Sequence, residues 1–132
     1  MGRFMTAKPS SLPTRRILLA EDEDSMRGFL ERALMNAGYE VAAFANGVEA
    51  YARLQDEPFS LLLTDIVMPE MDGIELARKA SELDPTLKIM FITGFAAVTL
   101  NTDAAPNDAR VLSKPFHLKQ LVSEIDGLLA DI

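Results

Sequence analysis

Short apolar runs, four of them followed at once by a polar or charged side chain, constrain the fold of this sequence more than any other feature. The runs occupy residues 17–20, 39–44, 61–64, 88–92 and 111–113. Runs of this length predict strands rather than core helices. Strands that are apolar on both faces are typical of parallel sheets covered by helices. The pattern therefore predicts a parallel five-stranded sheet.

The stretches between the runs carry apolar residues at helical spacing, which predicts amphipathic helices. The least regular stretch, residues 95–107, is expected to open with a short helix at 96–100 that Pro106 limits. Five strands therefore alternate with five helices. Right-handed crossovers then predict an α/β fold, a doubly wound (βα)5 three-layer sandwich. The apolar positions of the last helix are Leu118, Leu121, Val122, Ile125, Leu128 and Leu129.

The chain of 132 residues has the length of one domain. Residues 1–14 contain Pro9 and Pro13 and show no periodicity, which predicts a flexible N-terminal tail before a folded domain at 15–132. No apolar run is long enough to cross a bilayer, and the first residues lack a secretory signal. The absence of cysteine excludes disulfides and thiolate metal sites. We therefore expect a cytoplasmic protein that does not associate with membranes.

The charge of the chain argues against a nucleic acid partner. The formal net charge is −7. No acidic residue precedes Glu21, so all 20 acidic residues lie in the predicted folded domain together with only part of the basic ones. An acidic body of this kind is repelled by the phosphates of DNA and RNA.

Polar side chains follow four of the predicted strands at the same end of the sheet. Glu21 and Asp22 follow the first strand, Asp65 the third, Thr93 the fourth and Lys114 the fifth. In doubly wound sheets, ligands bind beyond the carboxyl ends of the strands. These residues are therefore expected to converge in one shallow pocket.

The residue types in this pocket suit phosphoryl transfer to a carboxylate. Carboxylates at close quarters repel one another, and a hard divalent cation such as Mg²⁺ relieves that repulsion. A carboxylate can attack phosphorus to form an aspartyl phosphate. A cation and a lysine neutralise charge on the transferred group, and a threonine hydroxyl can donate to one of its oxygens.

Each of these residues also has an ordinary structural interpretation. Glu21 and Asp22 could open a helix, where acidic residues favour the helix dipole. Thr93 could belong to a turn, and Lys114 to a surface linker. However, four separate strands would each have to end in a suitable group by accident. The only histidine, His117, is expected in the first turn of the last helix and has no acidic partner in sequence, so it is a poor candidate for a metal ligand.

Four segments resemble the receiver domains of two-component response regulators, the CheY-like family. The segments are ILLAEDED, LLLTDIVMPEMDGIEL, IMFITGFA and VLSKPF, and the resemblance that they carry extends over essentially all of residues 16–130. The resemblance implies a flavodoxin-like fold with strand order 2-1-3-4-5. It also implies a monomer whose output is protein binding rather than turnover of a substrate, and therefore not an enzyme.

The same resemblance implies a role for each residue of the pocket. Asp65 would be the phosphoacceptor and a ligand of Mg²⁺. Asp22 would bind Mg²⁺ directly, Glu21 through water, and Val67 through its backbone carbonyl. The side chains implied to contact the phosphoryl group are those of Thr93 and Lys114.

Two positions depart from the usual pattern of the family. Glu21 stands where aspartate is more usual, although glutamate also occurs there. Val111 stands where many receivers carry a tyrosine or phenylalanine that swings inward on phosphorylation. Because valine has no ring to swing, the usual coupling between threonine and the aromatic residue cannot be carried over intact. We expect a different readout on the surface around Val111.

More narrowly, TDIVMPEMDGIELA, FITGFAAV and VLSKPFHLKQLV resemble the CpdR group of stand-alone receivers from alphaproteobacteria. In that group the unphosphorylated form acts as an adaptor for the ClpXP protease, and phosphorylation switches this activity off. The resemblance implies a histidine phosphotransferase or histidine kinase as phosphodonor and the ClpX unfoldase as a partner. Because no effector domain follows Ile132, we expect a stand-alone adaptor.

Three other functions remain open from the residues. A phosphorelay shuttle or phosphate sink would pass the phosphoryl group on without binding an effector. An aspartyl-phosphate phosphatase commonly carries a second aspartate two residues beyond the nucleophile, where this sequence has Val67. A flavin or nucleotide module would need a glycine-rich loop after the first strand, where this sequence has only acidic residues.

Overall fold

The computed structural model describes residues 15–94 and 109–130. Its strands are β1 (Arg16–Ala20), β2 (Glu40–Phe44), β3 (Leu61–Asp65), β4 (Lys88–Thr93) and β5 (Arg110–Ser113). Its helices are α1 (Asp24–Asn36), α2 (Gly47–Asp56), α3 (Gly73–Leu83) and α4 (Leu118–Leu129). The strands form one parallel sheet in the order β2-β1-β3-β4-β5, which confirms the predicted sheet and its strand order.

Two predictions from the sequence fall outside the part of the chain that the structure describes. These are the flexible tail at 1–14 and the short helix at 96–100. The described ranges contain four of the five predicted helices. None of these helices is long and apolar enough to span a membrane.

The sheet separates two apolar cores because successive side chains of a strand point to opposite faces. Leu19 and Leu63 belong to the core that α1 and α4 cover, and Leu18 and Leu62 belong to the core that α2 and α3 cover. All four leucines are fully buried. The central strands β1 and β3 are therefore packed on both faces of the sheet, which holds their carboxyl ends in place.

The edge strands are less buried than the sequence predicted. All five residues of β2 are exposed or half-buried, and Val111 in β5 is 40% exposed. An edge strand has one open side, so its side chains are covered less completely than those of β1 and β3. The prediction of strands apolar on both faces therefore holds for the middle of the sheet.

Local hydrogen bonds set where the helices begin. The side chains of Asn46 and Asp72 accept hydrogen bonds, both at 2.8 Å, from the backbone N–H groups of Glu49 and Glu75, which caps α2 and α3. His117 lies one residue before α4 and is exposed, rather than in the first turn of that helix as predicted.

Candidate functional site

The carboxyl ends of β1 and β3 bring three acidic side chains together. Glu21 and Asp22 follow β1, and Asp65 is the last residue of β3. Each of the three offers a carboxylate oxygen, and these oxygens all lie within 4.8 Å of one another. The predicted convergence of Glu21, Asp22 and Asp65 is therefore seen in the structure.

Asp65 is buried at the centre of this cluster. It is 8% exposed. Its Oδ1 accepts a hydrogen bond from the backbone N–H of Ile66 at 2.7 Å, and its Oδ2 lies 3.3 Å from Lys114 Nζ. The strand runs one residue further than the sequence predicted, since the parallel ladder continues and pairs Asp65 with Ile92. This pairing fixes the backbone that carries the carboxylate.

Glu21 is fully buried and all of its carboxylate is held within the protein. Its Oε2 accepts a hydrogen bond from the backbone N–H of Glu23 at 3.0 Å, and its Oε1 lies 3.3 Å from Lys114 Nζ. Burial raises the pKa of Glu21, and the charge of Asp65 adds to the rise, while the Glu23 N–H and the Lys114 ammonium oppose it. Asp22 differs from Glu21 because it is exposed and open to a ligand.

Lys114 provides the positive charge of the site. Its ammonium group bridges Glu21 and Asp65 at 3.3 Å from each. Burial is the largest single influence on the pKa of Lys114 and lowers it, but the two carboxylates outweigh burial and leave this pKa above its ordinary value. The side chain is therefore an ammonium at neutral pH.

Thr93 and Val67 lie at the same edge of the sheet. Thr93 is the last residue of β4, is 4% exposed, and accepts a hydrogen bond from the backbone N–H of Lys114 at 2.7 Å through its carbonyl oxygen. Val67 lies in the loop after β3 and is 56% exposed. The contact of Thr93 with a phosphoryl group, the carbonyl of Val67 as a ligand and the water-mediated role of Glu21 stay predictions.

The loop between β3 and α3 closes tightly against the residue that carries the central carboxylate. The backbone N–H of Gly73 donates to the carbonyl of Ile66 at 2.7 Å. A Cβ atom on Gly73 would lie 1.9 Å from the backbone oxygen of Asp65.

The same loop contains a tight turn at Glu70. Glu70 has a φ of 71°, and the residues on either side of it are joined by a 2.8 Å hydrogen bond from Met71 N–H to Pro69 C=O. These features are those of a strained γ-turn, which persists only where the surroundings hold it.

The donor set at this edge suits a hard divalent cation. The three carboxylates offer only oxygen atoms, and Mg²⁺ prefers oxygen ligands, usually one or two carboxylates together with water. Asp22 is exposed and leaves access for such waters, while Asp65 offers the carboxylate at the centre of the cluster. The acidic cluster can therefore hold a metal ion of this class.

Residues 17–126 match the family described as the response regulator receiver domain. The chain belongs to this family. The receiver is 72% identical over 116 residues to the response regulator receiver protein CpdR of Brucella abortus, and the alignment covers 87% of this chain and 97% of that protein. Membership of the family implies a part in two-component signalling and a kinase partner as phosphodonor.

Solved structures of other receivers have the same fold. The CheY-like receiver domain protein of Methanospirillum hungatei is 32% identical, with a TM-score of 0.82 and coverage of 90% of this chain and 96% of that one. The response regulator TrrA of Thermotoga maritima, solved in complex with Mg(2+)-BeF, is 30% identical, with a TM-score of 0.78 and coverage of 88% and 100%. The predicted flavodoxin-like, CheY-like fold is thus confirmed.

Proposed function

We propose that this receiver is a single-domain response regulator that accepts a phosphoryl group on Asp65 from a phosphohistidine donor. The observation that carries the proposal is the position of the Asp65 carboxylate. It lies at the end of a central strand, with the Lys114 ammonium 3.3 Å away and the oxygens of two other carboxylates within 4.8 Å. A nucleophilic carboxylate, a fixed positive charge and a cation site are the parts that this reaction requires.

In the proposed reaction, a carboxylate oxygen of Asp65 attacks the phosphorus atom of the phosphohistidine. The phosphorus–nitrogen bond breaks, and the imidazole of the donor leaves with the electron pair of that bond. Lys114 keeps its positive charge and stabilises the negative charge of the transferred group. The N–H of Ile66 holds one carboxylate oxygen and thereby fixes the orientation of Asp65.

Mg²⁺ is the proposed cofactor, and when bound it would neutralise charge on the transferred phosphoryl oxygens. Asp22 and Asp65 would hold it directly, with the carbonyl of Val67 as a third protein ligand and Glu21 acting through water. The oxygen-only donor set and the Mg(2+)-BeF complex of TrrA support this choice. The buried position of Glu21, whose two oxygens are already engaged, supports an indirect role for it.

The proposed output is a change in protein binding rather than turnover of a substrate. Thr93 and Lys114 would reorganise around the new charge and bias a two-state equilibrium of the surface formed by β5 and α4. A hydrogen bond from the Lys114 N–H to the Thr93 C=O joins the backbones of these two residues and supports this proposal. Because Val111 replaces the usual aromatic residue and is 40% exposed, the change would be read on that surface without a swinging ring.

The finer proposal is an adaptor that controls proteolysis by ClpXP, with the ClpX unfoldase as its partner in the unphosphorylated state. The identity of 72% to a relative that this chain covers almost completely supports a stand-alone regulator of the same kind. We further propose that the protein is a cytoplasmic monomer that does not bind nucleic acid and is not an enzyme. The alternatives are a phosphorelay shuttle or phosphate sink.

The function is tested by labelling the protein with a phosphohistidine donor or a small phosphodonor in Mg²⁺. We expect labelling of the wild type, none of Asp65→Asn, and none of the wild type when EDTA removes the metal. Asp56→Asn is the matched control because Asp56 is an exposed residue at the end of α2. It should label like the wild type. Label that persists in Asp65→Asn would place the acceptor at another residue.

The output is tested by a pull-down that compares Asp65→Asn with the phosphorylated wild type. Because Asp65→Asn cannot be phosphorylated, it should retain purified ClpX, and the phosphorylated wild type should release it. Retention of ClpX by neither form would contradict the adaptor proposal. If only phosphotransferases bind, and the phosphoryl group returns to them rapidly, the protein is a shuttle.

A further inference from the structure

Arg27 joins the end of β1 to the first turn of α1. Its Nη1 donates to the backbone carbonyl of Glu21 at 3.0 Å, and its Nη2 donates to Asp24 Oδ1 at 2.7 Å. The Arg27 side chain is 23% exposed, so most of it is covered by the protein. The two ends of its planar guanidinium thus span the acidic segment that contains Asp22.

The carbonyl that Arg27 reaches belongs to a residue without access to solvent. Glu21 is fully buried, and its carbonyl therefore cannot exchange a lost partner for water without rearrangement. Each polar atom of Glu21 has a partner in the protein. The partners are the carbonyl of Phe44 for the N–H, Arg27 for the carbonyl, and Lys114 and the N–H of Glu23 for the carboxylate.

This network fixes the backbone on both sides of Asp22. Glu21 precedes it and is tied to β2 through its N–H and to Arg27 through its carbonyl. Asp24 follows two residues later and is tied to the same guanidinium. Since Asp22 is exposed, the bonds of its neighbours rather than packing of its own side chain hold its backbone in place.

We propose that Arg27 is a positioning residue for the cation site. Its guanidinium holds the Glu21 carbonyl and the Asp24 carboxylate at a fixed separation, so that the intervening segment presents Asp22 beside Asp65. The inference rests on the proposed function in one respect, that a divalent cation binds between Asp22 and Asp65. It adds a residue that touches neither the cation nor the phosphoryl group.

Positioning and simple electrostatics predict opposite signs for the removal of Arg27. A positive charge near an acidic cluster repels a cation, so loss of that charge alone would tighten Mg²⁺ binding. Loss of positioning would weaken it, because partners behind the ligands of a metal typically account for about ten- to a hundredfold in affinity. The sign of the change therefore separates the two effects.

The experiment is calorimetric titration of the full chain with Mg²⁺, for the wild type, Arg27→Lys and Arg27→Met. We expect the dissociation constant to rise about tenfold or more in Arg27→Met. Arg27→Lys keeps the charge but cannot reach both partners with one ammonium, so it should also bind Mg²⁺ more weakly than the wild type. Arg110→Met is the matched control, since it removes an exposed ion pair with Glu124 at the start of the edge strand β5.

The outcomes distinguish this inference from the proposed function. A wild type that does not bind Mg²⁺ contradicts the proposed function itself. A wild type that binds, with Arg27→Lys and Arg27→Met binding equally well or more tightly, overturns the positioning role. Urea unfolding in EDTA gives the folded fraction of each variant. A loss of Mg²⁺ affinity that disappears after correction for unfolded protein would also overturn the inference.

Discussion

Replacing Gly73 with alanine is expected to destabilise the fold by about 3 kcal/mol or more, at the upper end of what overpacking costs. The added Cβ would lie 1.9 Å from the carbonyl oxygen of Asp65, 2.9 Å from its carbonyl carbon and 3.0 Å from the Cα of Ile66. All three atoms belong to the backbone, so no change of rotamer relieves the clash. The start of α3 and the end of β3 must move apart.

The same displacement acts on the function. The hydrogen bond from Gly73 N–H to the Ile66 carbonyl closes the loop directly behind Asp65, so movement there displaces the carboxylate. We therefore expect phosphorylation of Asp65 to be lost in whatever fraction of Gly73→Ala still folds. Urea unfolding and labelling with a small phosphodonor measure the two effects.

Gly127 provides a matched control on another helix. A Cβ at Gly127 would meet nothing within 4 Å, and Gly127 is an exposed residue inside α4. Gly127→Ala should therefore raise the stability by about 0.5–1 kcal/mol, because alanine loses less backbone entropy than glycine in a helix. If Gly73→Ala were as stable as Gly127→Ala, the close approach of α3 to Asp65 would be wrong.

Lys114→Met is expected to reduce the stability by about 3 kcal/mol at neutral pH in the absence of Mg²⁺. Methionine keeps most of the apolar stem but removes the ammonium that lies 3.3 Å from both Glu21 and Asp65. The carboxylate of Glu21, which is fully buried, then has no counter-charge from that side chain. Breaking one side of a buried ion pair is costly because the other charge stays buried.

The loss should depend on pH with a defined sign. Burial raises the folded-state pKa of Glu21 above its ordinary 4.5, so its contribution to stability is complete below 4.5 and is lost as the pH rises through the folded-state value. In Lys114→Met the ammonium no longer opposes this rise. The variant should therefore approach the wild type in acid and fall furthest behind it above neutral pH.

Urea unfolding at several pH values, with and without Mg²⁺, tests this prediction. Mg²⁺ should restore part of the lost stability, since a ligand that binds only the folded state stabilises it. Lys119→Met removes an exposed lysine from α4 and should change little at any pH. If the loss of stability in Lys114→Met did not depend on pH, the burial of the Glu21 carboxylate would not be its cause.

The main residues of the site could be predicted because parallel strands end at one edge of the sheet. The apolar runs located the strands, and the residue after each run had to lie at that edge. The sequence alone therefore predicts that Asp22, Asp65 and Lys114 lie together. The strand ends were one residue too short at Asp65 and Thr93, because a polar residue gives no apolar signal even when the ladder continues through it.

The supporting residues could not be predicted in the same way. By sequence Gly73 is only the second residue of an Asp-Gly turn signal, because its close approach to Asp65 depends on how the loop closes in three dimensions. Arg27 carries no such signal, because by sequence an arginine in the first turn of a helix is an ordinary surface residue. Its hydrogen bond to the Glu21 carbonyl depends on the conformation of the intervening segment.

The central claim is that Asp65 is the residue that becomes phosphorylated, and chemical mapping tests it most directly. The wild type is incubated with a small phosphodonor and Mg²⁺ and then treated with borohydride, which reduces an aspartyl phosphate to homoserine. Peptide mass spectrometry then locates the reduced residue. We predict homoserine at position 65 and only when both phosphodonor and Mg²⁺ are present. Homoserine at Asp22 or another acidic residue, with position 65 unchanged, would contradict the account.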